Sequence, residues 1–152
     1  MPQAPVIWTI GYERAAPDAL IAALREAGVQ AVLDVRELPL SRRAGFSKGP
    51  LRAALAEAGI DYVHLKALGT PAEGREAARR RDHGRFWAIV EERLDTPEAE
   101  AALHRAAELA RARRSCLLCL EADPCVCHRL RVAERLAGRF GFTVEHLHPV
   151  IL

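Results

Sequence analysis

Twice within its first 65 residues this chain repeats one plan: an amphipathic run, the pair Ala-Gly, then a short apolar stretch. Ala27-Gly28-Val29-Gln30-Ala31-Val32-Leu33 follows a run whose Leu20, Ile21 and Leu24 share a face, and Ala58-Gly59-Ile60-Asp61-Tyr62-Val63 follows a second run. Helical spacing that stops at glycine and gives way to apolar residues over a strand's length reads as helix, cap, strand. Val6 to Ile10, closed by Gly11, supplies a strand ahead of the first helix. The strand–helix–strand unit has about the minimum length for a parallel crossover, which is expected to be right-handed.

The rest of the chain continues the alternation. Helices are expected over 17–27 and 49–58, strands over 31–35 and 60–65. Leu68-Gly69-Thr70-Pro71 breaks the chain, and residues 72–85 are rich in Arg and Glu. Phe86, Ile89, Val90 and Leu94 then sit at helical spacing, and Thr96-Pro97 ends that helix and opens another through Arg113. Ser115 to Leu120 reads as a strand, Pro124 or Cys127 to Phe140 as the last long helix, and Phe142 to Leu147 as a fifth strand. The expected fold is a single α/β domain over 1–152: a three-layer sandwich with a five-stranded, mostly parallel sheet, Rossmann-like or flavodoxin-like in plan. Only Gly11 follows the first strand, so the glycine fingerprint of a dinucleotide site is missing and no NAD is expected.

Composition narrows the function classes. No apolar run reaches membrane-spanning length and no secretory leader pattern opens the chain, so a cytoplasmic protein with no membrane partner is the expectation. Four cysteines in a chain that is half apolar suit free thiols or a metal site better than a disulfide framework. A net charge of +2 does not demand nucleic acid.

All four cysteines fall in one stretch, Cys116-Leu-Leu-Cys-Leu-Glu-Ala-Asp-Pro-Cys-Val-Cys-His-Arg129. In a strand, Cys119 and Glu121 face one way and Cys116 the other. Cys116-x2-Cys119 followed by Cys125-x-Cys127-His128 invites zinc, but the opposed faces of the first pair argue against it, and no metal ligand is assigned. Asp123-Pro124 suits a helix start, which would place Cys127, His128 and Arg129 in the first turns and depress the Cys127 thiol pKa. Glu121 beyond a central strand needs a cation, and Arg36 or Arg129 would supply it.

The pieces Thr9-Ile10-Gly11-Tyr12, Asp34-Val35-Arg36 with Pro39 and Ser41-Arg42, Phe46, Tyr62-Val63-His64-Leu65 with Leu68-Gly69, and Cys119 to Glu121 with Asp123-Pro124 and Cys127-His128-Arg129 run in order through nearly the whole chain. Together they resemble an uncharacterised bacterial family, the domain of unknown function numbered 488. The resemblance implies the α/β sheet already argued and no particular reaction. Cys116 and Cys125 lie outside its pattern.

Ligands of such sheets bind beyond the carboxyl ends of the strands. The leading expectation is therefore a small enzyme taking an anionic, phosphorylated or nucleotide-like molecule. Glu121 would move a proton, Cys127 or Cys119 would be the nucleophile, and His128 its base or orienter. Arg36, Arg42 and Arg129 would hold the anion, with Asp34 orienting Arg36, and Ser41, Gly11, Tyr12 and His64 completing the site. Replacing Arg36 or Arg129 by Ala should then abolish binding and leave the fold intact. A second expectation is a non-catalytic nucleic-acid module using the basic patch Arg75 to Arg85, and a third is a zinc-stabilised structural domain.

Overall fold

In the computed structural model, which describes residues 4–151, the helix, Ala-Gly, strand repeat takes the predicted form. Strand β1 (Val6–Gly11) leads to helix α1 (Pro17–Glu26) and strand β2 (Ala31–Asp34), and helix α2 (Lys48–Glu57) leads to strand β3 (Asp61–His64). Gly28 and Gly59 leave the two helices at φ of 72° and 75°, the left-handed turn that a Cβ would disfavour.

A 3-10 turn over Lys66–Leu68 follows β3, and three helices come before the next strand: α3 (Ala72–Arg79), α4 (His83–Leu94) and α5 (Pro97–Ala112). The first of these carries no apolar stripe. It buries only Gly74 and Ala77, so periodicity does not reveal it, although its Ala, Glu and Arg are strong helix formers. Asp82 and Thr96 cap α4 and α5, accepting from the Arg85 and Ala99 backbone N–H groups.

Strand β4 (Ser115–Cys119) then exits into the Asp123-Pro124 helix start, which yields a single 3-10 turn, Pro124–Val126. Asp123 Oδ1 does accept from the Cys125 N–H at 2.9 Å, as a capping residue should. Helix α6 (Arg129–Phe140) begins only after Cys127 and His128, and strand β5 (Thr143–Leu147) closes the described fold.

The sheet is wholly parallel, in the order β3-β2-β4-β1-β5. Trp8, Ile10, Val32, Cys116 and Leu118 form one core with Leu20 and Leu24 of α1 and Leu51 and Leu55 of α2. Ile7, Leu33, Leu117 and Cys119 form the other with Val90 of α4, Leu103 of α5 and Val132 and Leu136 of α6. This makes the three layers. Fully burying each such aliphatic side chain contributes roughly 1.5–3 kcal/mol.

Connections that step one way along the sheet, β1 to β2 and β2 to β3, place their helices on one face. Those that step back, β3 to β4 and β4 to β5, place theirs on the other, as a uniform crossover hand requires. Neighbouring strands β2, β4 and β1 thus send their exits to alternate sides, which opens a crevice at their carboxyl ends. Gly11 lies opposite Cys119 and Asp34 opposite Leu118, so the three strands end at nearly one level. No helix among the described residues is long and apolar enough to cross a membrane.

Candidate functional site

At the end of β2, the fully buried Asp34 grips Arg36 side-on. Arg36 Nε donates to Asp34 Oδ1 at 2.9 Å and Nη2 to Oδ2 at 2.7 Å. Nη1 donates to the Tyr12 hydroxyl at 3.1 Å and to the Phe46 carbonyl at 2.7 Å. Among the described residues, only one of the five guanidinium N–H groups is left over. The Tyr62 hydroxyl donates to Asp34 Oδ2 at 2.5 Å and His64 Nε2 to the Arg36 carbonyl at 2.6 Å. Asp34 orients Arg36 as expected, and Tyr12 and His64 support that pair. Burial, then the hydrogen bond to Asp34, raises the Tyr62 pKa; burial raises that of Tyr12 while Arg36 offsets part of the shift.

Gly11 ends β1 directly beneath the exit of β4. A Cβ there would stand 1.8 Å from the Glu121 carbonyl oxygen, so the position admits only glycine while the loop stays put. Its part is this close approach of backbones. Arg129 holds the same loop from the other side: fully buried, it donates from Nη1 to the Glu121 carbonyl at 2.5 Å and from Nη2 to the Ala122 carbonyl at 3.4 Å.

Neither Arg36 nor Arg129 pairs with the Glu121 carboxylate, contrary to expectation. Arg36 is taken by Asp34, and Arg129 spends its two Nη groups on main-chain carbonyls while its buried Nε has no partner among the described residues. Glu121 Oε2 is buried without a hydrogen-bond partner among the described residues. Burial, and then the charge of neighbouring Cys127, pushes the Glu121 pKa up to about 8.

Strand alternation sends Cys116 into the α1/α2 core and Cys119 into the opposite one, so the first cysteine pair does not converge. A different trio does. Cys119 Sγ lies 3.6 Å and Cys127 Sγ 3.9 Å from His128 Nδ1, with all three atoms within 4.8 Å of one another. His128 Nε2 donates to the Val35 carbonyl at 2.7 Å, which turns Nδ1 toward the sulfurs.

The Cys127 thiol is not acidified. Burial, then the hydrogen bond and charge of Cys119, pushes its pKa up to about 12, because Cys127 precedes α6 inside the core rather than standing open at a helix end. Burial opposes charge on the His128 ring, but Cys127 and the Val35 carbonyl outweigh it and raise its pKa. Burial likewise raises the pKa of Cys116.

Beside the trio lies a cleft of about 270 Å³ lined by Tyr12, Arg36, Glu37, Leu38, Leu40, Thr70, Arg75, Ala78, Arg79, Phe86, Cys119, Leu120, Glu121 and His128. Helix α3 and the turn before it supply Thr70, Arg75, Ala78 and Arg79. Sequence reading places Arg75 and Arg79 in a surface basic patch and passes over Thr70. The close packing of Gly69, whose added Cβ would meet the Glu37 backbone N at 2.1 Å, is what brings this turn against the exit of β2.

Glu37 is shared by Arg75 and Arg93, and Glu76 by Arg79 and Arg80, so each cluster keeps one positive charge over. Arg42 is exposed and does not line the cleft. Ser41 is bound up in its own loop, its N–H donating to Ser47 Oγ and its hydroxyl accepting from the Arg43 N–H. That loop is braced by Arg43, which donates to the Tyr12 and Ala15 carbonyls, and by Phe46 stacked on Tyr12 at 4.7 Å.

Among curated proteins and among solved structures, none matches this chain. The model of the family described as "Domain of unknown function DUF488" matches residues 16–136, most of the length and every element from α1 to the body of α6. The match takes in β2, β3 and the β4 exit, whose residues line or support the cleft, and the chain therefore belongs to the DUF488 family.

Proposed function

We propose that the cleft is the substrate site of an enzyme acting on a small molecule with an apolar body and one anionic group, a phosphate or a carboxylate. One observation carries the reading: two buried oxygens that line the cleft, Thr70 Oγ1 and Glu121 Oε2, have no hydrogen-bond partner among the described residues. A buried polar atom without a partner costs about 1–3 kcal/mol. Two in one cleft point to a ligand that satisfies both. Leu38, Leu40 and Leu120 stand exposed around the same cleft and suit an apolar body. The surplus charges of the Arg75–Glu37–Arg93 and Arg79–Glu76–Arg80 clusters favour an anion at the mouth. Glu121 is the group placed to exchange a proton with the bound molecule.

The test is calorimetric titration with a panel of phosphorylated and carboxylated small molecules, repeated on Thr70→Val. Removing an unsatisfied hydroxyl should stabilise the protein by about 1 kcal/mol while weakening the bound compound roughly tenfold, a hydrogen bond's worth. Stability and affinity then move in opposite directions. If no anionic compound binds, or if Thr70→Val and Glu121→Gln bind as the wild type does, the cleft is not this site.

A further inference from the structure

We infer that Cys119, Cys127 and His128 form a three-ligand site for a thiolate-preferring divalent cation, zinc foremost, whose fourth position opens on the cleft beside Glu121. The inference stands whatever the cleft binds. A tetrahedral zinc with metal–sulfur bonds of about 2.3 Å and metal–nitrogen bonds of about 2.0–2.1 Å requires sulfur–nitrogen separations of roughly 3.5 Å. The two measured here are 3.6 and 3.9 Å, with all three donor atoms inside 4.8 Å.

The imidazole is oriented for the task. His128 Nε2 donates its proton to the Val35 carbonyl at 2.7 Å, which leaves Nδ1 as the ring's donor atom toward the metal. Such a hydrogen bond on the distal nitrogen is the usual support of a metal-bound histidine. As simple core residues, two thiols would offer Nδ1 only weak partners. Two thiolates and one neutral imidazole around a dication instead sum to zero charge, which suits a site where all three residues are at most 6 % exposed.

The remaining cysteines are not part of the cluster: Cys116 lies in the opposite core and Cys125 is exposed. Cys119 and His128 line the cleft, whereas Cys127 is fully buried and does not. The open coordination position therefore faces the ligand space, the arrangement of a metal that takes a water or a substrate atom rather than of a closed structural site.

The test is X-ray absorption spectroscopy on wild-type protein loaded with one equivalent of zinc, together with cobalt substitution. Two sulfurs at about 2.3 Å and a nitrogen at about 2.0–2.1 Å are expected. Cobalt should give thiolate charge-transfer and tetrahedral d–d absorption at one equivalent, lost in Cys119→Ser and Cys127→Ser and unchanged in Cys125→Ser. A shell of nitrogen and oxygen alone would overturn the inference, as would four sulfurs, retention of the cobalt spectrum in Cys119→Ser, or a metal-free protein with Cys119 and Cys127 joined in a disulfide. Should the cysteine variants fail to fold, the wild-type metal shell still decides.

Discussion

Arg129 and Arg36 carry charge into places where charge is expensive, and each is held by what it ties together. Arg129 is the largest fully buried side chain, and its guanidinium secures the β4 exit through the Glu121 and Ala122 carbonyls. Arg129→Ala is therefore expected to lose about 3 kcal/mol in urea denaturation, from a cavity and stripped carbonyls together. An intact fold with abolished binding, the outcome the sequence suggests, would return Arg129 to the ligand. Arg36 and Asp34 form a buried ion pair, so Arg36→Ala or Asp34→Asn alone should cost about 3–5 kcal/mol, and a double-mutant cycle should show the two costs to be far from additive.

The chain has two tyrosines, Tyr12 and Tyr62, and both have raised pKa values. A folded-state pKa above the unfolded value, about 10, means the folded chain keeps protons that the unfolded chain gives up. Stability from these phenols is complete below pH 10 and falls as pH rises beyond it. Phenolate absorbance should therefore appear only with alkaline unfolding, and Tyr62→Phe should flatten that part of the pH–stability curve. Ionisation of both phenols in the folded protein near pH 10 would contradict this account.

Elements meet at this site through glycine as much as through side chains. Gly11 lets β1 end under the β4 exit, and Gly11→Ala should destabilise by about 3 kcal/mol because the contact is with backbone that cannot swing away. Gly138, exposed on α6 with open space around its would-be Cβ, is the contrasting case: Gly138→Ala should stabilise by about 1 kcal/mol. Thermal melts of the two variants should move in opposite directions. The capped, periodic helices α4 and α5 are legible in the sequence because capping and apolar spacing are local signals. Helix α3 is not, because its contribution is to cover the cleft with Arg75, Ala78 and Arg79 rather than to bury a stripe.

For the whole molecule, sheet order decides what folds with what. Among the described residues, strand β1 pairs only with β4 and β5, more than 100 residues later, and β2 needs β4 to complete its second edge. A fragment ending at Ala112 keeps only the β2–β3 pair and leaves β1 without a neighbour. It should show no cooperative thermal transition by circular dichroism, whereas the full chain should melt in one; a folded fragment would show that helix packing alone suffices.

The sequence by itself determined the alternation of strands and helices, the parallel sheet, and the opposed faces of Cys116 and Cys119. These follow from period, capping and strand alternation, which act over a few residues. Only the tertiary structure decided that Arg129 turns its two Nη groups to backbone carbonyls, that Arg42 stays outside the cleft, and that Cys119 meets Cys127 and His128. Those partnerships depend on strand order and on the levels at which strands end. Neither leaves a periodic trace, since the pairing of β4 between β1 and β2 is settled by how all the helices cover both faces at once.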